Sequence, residues 1–430
     1  MDQHERGLVK FTRPLAQGVL ERPRLLQRLE QSLVRPVTWV TGPAGSGKTT
    51  LVSSYLEYSH NAHLWCQLEE GDSDWASFIY YLGLAARKAV PGISQPLPLL
   101  TPEYRPGIAT FTRRFFEELY SHLSAPFLLV LDNYQEVPAA APFHELLAHG
   151  LEMVPPGVNI ILISRQEPPP EFSRLEASCR VDKIGWPELR LTFEETEHLL
   201  TSEGLGELTP ETRQSIHGLV EGWAAGLVLL LETLRREDFV PETLRTLPRE
   251  GIFHYFASEI FAKADPDLQD FLLRTAFLPR MSARLAEQVS GQSQAEQILT
   301  VLYHNHFFTE RRLAAEPIYS YHPLFREFLL LRAGGTFSAA ELRRLGQRTA
   351  SLLEQADQVE EAARLYMQTA DHQNLARLIC QEAPRLLAQG RNETLEKWLQ
   401  PFPEQALEAM PALLYWSGVA QLPFDPVQAR

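Results

Sequence analysis

Gly42-Pro43-Ala44-Gly45-Ser46-Gly47-Lys48-Thr49-Thr50 is the stretch that decides the fold. It follows a β-branched and aromatic run, Val37–Thr41, and from Lys48 to about Tyr58 apolar residues recur at helical spacing. Glycines at 42, 45 and 47 let the backbone curl so that its N–H groups converge, and the helix starting near Lys48 adds the positive end of its dipole. Strand, glycine loop and helix in this order predict a phosphate-binding loop over residues 42–50. Lys48 is then expected to reach the β and γ phosphates of ATP or ADP, and Thr49 to give its hydroxyl to Mg²⁺.

Working outward, further strands are expected at His63–Leu68, Phe127–Asp132 and Val158–Ser164, separated by helical stretches near 73–90, 108–123 and 141–152. Strands alternating with helices predict a parallel α/β sheet. Asp132 ends the apolar run Phe127–Leu131, so its carboxylate emerges at the sheet edge where α/β ligands bind. That makes it the Mg²⁺ partner of Thr49, the alternative being an aspartate that caps a loop. Asn133 follows, and its amide cannot take a proton, so Glu136 is the nearest substitute for a hydrolytic base. A solvated loop glutamate is the other reading of Glu136, and slow turnover is expected. Arg165 follows Val158–Ser164 and brings a permanent cation to the same edge, unless it is a surface arginine of the loop at Pro168–Pro170.

After Arg190 the pattern changes. Thr192-Phe193-Glu194-Glu195 is a capping box, and helices dominate from there. Residues 265–332 read as three helices, two short β-prone runs at His306–Arg312 and Pro317–Tyr321, and a helix from Pro323, an order that suits a winged helix. His322 stands at that helix start, where capping alone accounts for it. Trp223 and Trp398 read as core or interdomain anchors. From about Ser338 only amphipathic helices of similar length follow, with Ala350, Ala362, Ala363 and Ala376 at potential close-packing positions. The expected organisation is a nucleotide-binding domain (1–190), a helical lid (191–264), a winged helix (265–335) and the start of a TPR-like solenoid (336–430). A solenoid needs about three repeats and a polar cap. Neither is evident before Arg430, so a longer chain is expected.

Composition sets the outer bounds. At 430 residues the chain is too long for one core of ordinary size, and its 44% hydrophobic and 22% charged residues suit folded domains. No apolar run approaches the roughly 18–20 residues that cross a bilayer. Cys66, Cys179 and Cys380 are scattered, and Met-Asp-Gln-His-Glu-Arg is no export signal, so a reducing cytoplasm is expected. A net charge of −14 gives no general attraction to nucleic-acid backbones, so no direct DNA contact is expected from these residues.

Taken in order, Gly-Pro-Ala-Gly-Ser-Gly-Lys-Thr, Leu-Val-Leu-Asp-Asn-Tyr, Ile-Leu-Ile-Ser-Arg, Glu-Gly-Trp-Ala-Ala-Gly-Leu and Tyr-His-Pro-Leu-Phe-Arg-Glu-Phe-Leu resemble the signal-transduction ATPases with numerous domains. Within that class they look most like the maltose-regulon activator and the large ATP-binding LuxR-type regulators, from about Arg22 to the end. The resemblance implies a superhelical sensor that receives an inducer, an ADP-bound closed monomer and self-association with ATP. It matches Lys48 and Thr49 to the phosphate loop, Asp132 to the Mg²⁺ aspartate, Arg165 to the arginine after the fourth strand, and His322 to a winged-helix histidine that touches the ADP phosphate. Three departures stand out. Asp132-Asn133 replaces two adjacent acids, Gly222-Trp223-Ala224 replaces Gly-x-Pro, and no helix-turn-helix precedes Arg430. A working ATPase or kinase, or a nucleotide-stabilised scaffold, are the competing readings.

Overall fold

Strand β1 (Val37–Thr41) is buried along its whole length inside a five-stranded parallel sheet. The others are β2 (Ala62–Gln67), β3 (Phe127–Asp132), β4 (Val158–Ser164) and β5 (Val181–Ile184), in the order β2-β3-β4-β1-β5. The computed structural model describes residues 10–15, 19–90, 93, 95–234, 257–258, 261–262, 264–304, 308–313, 316–403, 407 and 410–421. Residues 235–256 of the expected lid, His306 and Phe307 of the expected strand, and residues 422–430 lie outside these.

The near-continuous apolar strands follow from burial on both faces. Trp39, Leu129, Leu131, Ile160 and Leu162 face the helices Trp75–Ala89, Ile108–Ser121 and Phe143–Leu151. Val40, Val130, Ile161 and Ile163 face Pro23–Ser32 and Lys48–Ser59. Register pairs Thr41 with Ser164, Leu131 with Leu162 and Gln67 with Asp132, so the strands feeding the phosphate loop, Asp132 and Arg165 end side by side. β5 escapes the sequence pattern because it is a four-residue edge strand. Its central Asp182 and Lys183 are matched locally, to Arg28 at 2.8 Å and Glu176 at 2.5 Å.

The Thr192 capping box forms: Glu195 N–H donates to Thr192 Oγ1 (3.2 Å) and Thr192 N–H to Glu195 Oε2 (3.0 Å). Helices Phe193–Ser202, Pro210–Val220 and Ala224–Leu234 follow. The winged helix carries helices Pro266–Thr275, Ala283–Ser290, Ala295–His304 and Pro323–Thr336. Its antiparallel sheet β6-β8-β7 joins β7 (Thr309–Leu313) and β8 (Pro317–Tyr321) to an unforeseen two-residue β6 (Met281–Ser282). Helices Ala339–Gln355, Val359–Gln368, His372–Ala388, Asn392–Leu399 and Pro411–Gln421 complete the described chain. Ala350, Ala362 and Ala363 are fully buried between them, whereas Ala376 is only partly covered.

The division of the core matters for function. One apolar cluster runs from Leu191 through the winged helix to Ala420, while the parallel sheet has its own cluster on each face. The helical repeats meet helix Trp75–Ala89 through polar groups: Arg391 donates to Ser77 Oγ (2.7 Å) and Tyr81 (3.1 Å), and Thr394 to Asp74 (2.9 Å). The N-terminal segment stitches the winged helix to the sheet domain. Leu15 N–H donates to Arg311 O (3.0 Å), Arg312 to Thr12 O (2.9 Å), and buried Lys10 pairs with Asp72 (2.7 Å).

Gly390, at φ +76°, leaves space for a Cβ only 2.0 Å from Leu100 O. Gly390→Ala is expected to cost about 1–3 kcal/mol, as overpacking does, and to lower the first unfolding midpoint in a calorimetric scan. An unchanged midpoint would contradict the tight fit between repeats and sheet domain.

Candidate functional site

The loop from β1 to helix Lys48–Ser59 needs glycine at two places. Gly45 and Gly47 have φ of +71° and +85°, and a Cβ on Gly45 would lie 2.4 Å from Ala225 Cβ. Lys48 folds back over the loop, its Nζ donating to Gly42 O (2.7 Å) and Pro43 O (2.9 Å), with Ser46 Oγ at 3.5 Å. Burial, then the nearby charge of Arg165, pulls its pKa down to about 8, against the opposing pull of Asp132.

Thr49 Oγ1 donates to both Asp132 oxygens, at 3.1 and 3.3 Å, and Asn133 N–H donates to Oδ1 at 2.9 Å. Burial pushes the Asp132 carboxyl up to about 6, although Arg312 pulls the other way. Arg165 is exposed at the end of β4. Its main-chain N–H donates to Gln135 Oε1 (3.1 Å), and its guanidinium joins no ion pair among the described residues. Glu136 ends a one-turn 3₁₀ helix, Tyr134–Glu136, exposed at the cavity rim, where its carboxylate accepts from Gln135 Nε2 (3.2 Å).

His322 is the N-cap of helix Pro323–Thr336 but makes no side-chain cap bond, so capping does not occupy its ring. Its main-chain N–H donates to Phe308 O (2.7 Å), which aims the imidazole at the phosphate loop from the winged-helix side. Nδ1 is buried without a hydrogen-bond partner. Burial, then the charges of Arg165 and Lys48, pushes the pKa down to about 3.

These groups share one cavity of about 1060 Å³. Ala44, Gly45, Gly47, Lys48, Thr49 and Thr50 line it from the loop; Asp132, Glu136, Arg165 and His322 line it from elsewhere. Gly42, Pro43 and Ser46 stand behind the loop and hold Lys48 instead. Among the described residues no group of three or more His, Cys, Asp or Glu is placed to hold a metal. Thr49 and Asp132 present one hydroxyl and one carboxylate to the cavity.

Three functional features went unread in the sequence. Trp223, read only as an anchor, donates from Nε1 to Ala44 O (2.8 Å), and Ala225 N–H donates to Gly45 O (3.0 Å), so the lid helix is bonded to the phosphate loop. The small residues around Trp223 were the available sign, since a Cβ on Gly226 would lie 2.4 Å from the indole. Arg312 and Glu310, alternate residues of β7 at 3.8 Å, bring a buried arginine and its half-buried partner from the winged helix beside Asp132. Gln135 ties the Asp132 loop to Arg165.

Among known proteins, residues 257–341 match the MalT winged helix domain. The HTH-type transcriptional regulator MalT of Cronobacter sakazakii is 26% identical over 413 residues, and that of Serratia proteamaculans 26% over 411. Each alignment covers 94% of this chain and 45% of the relative, so the chain spans about half the length of the curated relatives it matches. A STAND protein with a tetratricopeptide repeat sensor from Pyrococcus horikoshii shares the fold, with a TM-score of 0.70 at 16% identity over 98% of this chain and 58% of that one. The chain is thus similar to MalT along 94% of its length, carries a match to the MalT winged helix domain, and shares its fold with a STAND protein.

Proposed function

We propose that this chain is the nucleotide-dependent switch module of a bacterial transcription regulator. Mg²⁺ and ADP hold the winged helix against the phosphate loop in a closed monomer; ATP, with an inducer on the helical repeats, favours an open, self-associating form. The observation that carries this reading is His322, which the winged helix places with an unpartnered Nδ1 in the same cavity as Lys48 and Arg165 of the sheet domain.

Without an anion, Lys48 and His322 are each made less basic by burial and by a neighbouring cation. A polyphosphate relieves that repulsion, so its binding and domain closure are linked through one free energy. Lys48, the loop amides, Arg165 and His322 would hold the phosphates, and Thr49 with Asp132 would hold Mg²⁺, which supplies charge neutralisation. Leu20, Leu26, Leu191, Leu199 and Val228 line another wall of the cavity and offer an apolar surface for the base. Trp223 and Ala225 make the lid follow the loop backbone. Moving such an equilibrium from 1:99 to 99:1 takes about 5.5 kcal/mol of differential binding. Several charged contacts that exist only when the domains are together are of that order.

Hydrolysis is secondary in this reading. Glu136 is exposed and engaged by Gln135, and Asn133 cannot serve as a base. What matters is which nucleotide is present.

The direct test is to release and identify the nucleotide that co-purifies with the chain. ADP near one per chain is expected, and its absence from Lys48→Ala; a site that stays empty and takes up neither ADP nor ATP would overturn the reading. A second expectation concerns pH. His322 has a folded pKa near 3, below the ordinary 6.5, so the unfolded chain binds the extra proton. Stability from this group is therefore full above about 6.5 and falls as the pH drops toward 3. Between pH 7 and 5 the nucleotide-free wild type should lose up to about 2 kcal/mol more than His322→Gln in denaturant titrations. Equal losses would show that the ring is not held neutral.

A further inference from the structure

The cavity extends well past the phosphate loop. Its far half lies between helix Pro323–Thr336 of the winged helix and helix Val359–Gln368 of the repeats. His322, Arg326 and Leu330 follow one another at four-residue spacing on the first helix, so they face the cavity as one stripe. Arg364 and Met367 face it from the second, three residues apart.

Most carboxylates of this half are already engaged, and Glu70 and Glu327, the latter beside Arg326 on the first helix, join no ion pair among the described residues. Glu69 and Glu361 are both taken by Arg280, at 2.6 and 2.7 Å, and Glu360 is taken by Arg391. Arg326 uses only Nε, donating to Ala276 O at 2.8 Å. Among the described residues neither Arg326 nor Arg364 pairs with a carboxylate. A guanidinium carries five N–H donors, so most of this donor capacity is left for whatever enters the cavity. Burial, then the nearby charge of Arg364, pushes Arg326 down to about 10.

We infer that Arg326 and Arg364 form a second anion site, which takes a small phosphorylated or carboxylated molecule in addition to the nucleotide. Leu330 and Met367 flank the two guanidiniums, so a ligand with a short apolar body fits beside its charged group. The cavity, about 1060 Å³ in all, continues from the phosphate loop to these two arginines. Because the winged helix and the repeats share one apolar core, the two arginines stay together even when the sheet domain moves away. The site is thus independent of the nucleotide reading. It gives the repeats and the winged helix a shared small-molecule ligand.

The test uses the whole chain and two probes, inorganic phosphate and succinate, titrated calorimetrically with Mg²⁺ and ADP saturating, and again in Lys48→Ala without nucleotide. Saturable binding of at least one probe is expected in both, weakened tenfold or more by Arg364→Gln and by Arg326→Gln, and partly restored in Arg364→Lys. The stronger probe identifies the charged group. Because the two variants sit on different domains, misfolding of one leaves the other to decide. Binding that disappears in Lys48→Ala, binding that survives both glutamine variants, or no saturable binding of either probe would overturn the inference.

Discussion

Three basic side chains, Lys48, Arg165 and His322, converge on one cavity from two domains, opposed by a buried Asp132. Bringing them together has a cost. It shows in Lys48, drawn down to about 8, and in His322, drawn down to about 3. A buried charge without a counter-charge is expensive, and the group loses its proton instead. The arrangement makes sense as one half of an interaction whose other half is an anion. In the proposed switch, the contacts around it hold the two domains at the spacing where that anion is felt.

The packing differs between the domain contacts. Lid, winged helix and repeats are joined by one continuous apolar core, whereas the sheet domain meets them largely through ion pairs and hydrogen bonds, such as Lys10 with Asp72 and Arg391 with Ser77. Polar interfaces within a chain permit relative domain motion more readily than large apolar ones. The plane of weakness therefore runs through the phosphate cavity. It separates Lys48, Asp132 and Arg165 on one side from His322, Arg312 and Glu310 on the other. The bonds from Trp223 and Ala225 to the loop cross this plane on the lid side.

The elements with strong patterns were legible in the sequence. β1, β3 and β4 fall on Val37–Thr41, Phe127–Asp132 and Val158–Ser164 because fully buried parallel strands are continuous apolar runs. β5 and β6 were not, being short and lacking such a run. The glycine loop pointed to Lys48 and Thr49, and the apolar run that ends at Asp132 added its carboxylate. His322 entered only through its motif, since a histidine before a Pro-initiated helix reads as a cap, and only tertiary structure shows that its ring makes no cap bond. Arg312 and Trp223 were hidden for the opposite reason. Nothing local says that a strand arginine is buried, and the small residues around Trp223 mark close packing without naming the loop carbonyl its indole meets.

The most direct measurement is a distance across the cavity. Spin labels at Tyr58 and Val301, both exposed and on opposite sides of the plane of weakness, with Cys179 replaced by serine, report the separation of sheet domain and winged helix by pulsed electron resonance. With Mg²⁺ and ADP the account predicts one narrow distance, that of the closed form, and with a non-hydrolysable ATP analogue a longer or broader distribution. The same distribution with ADP, with the analogue and without nucleotide would contradict it.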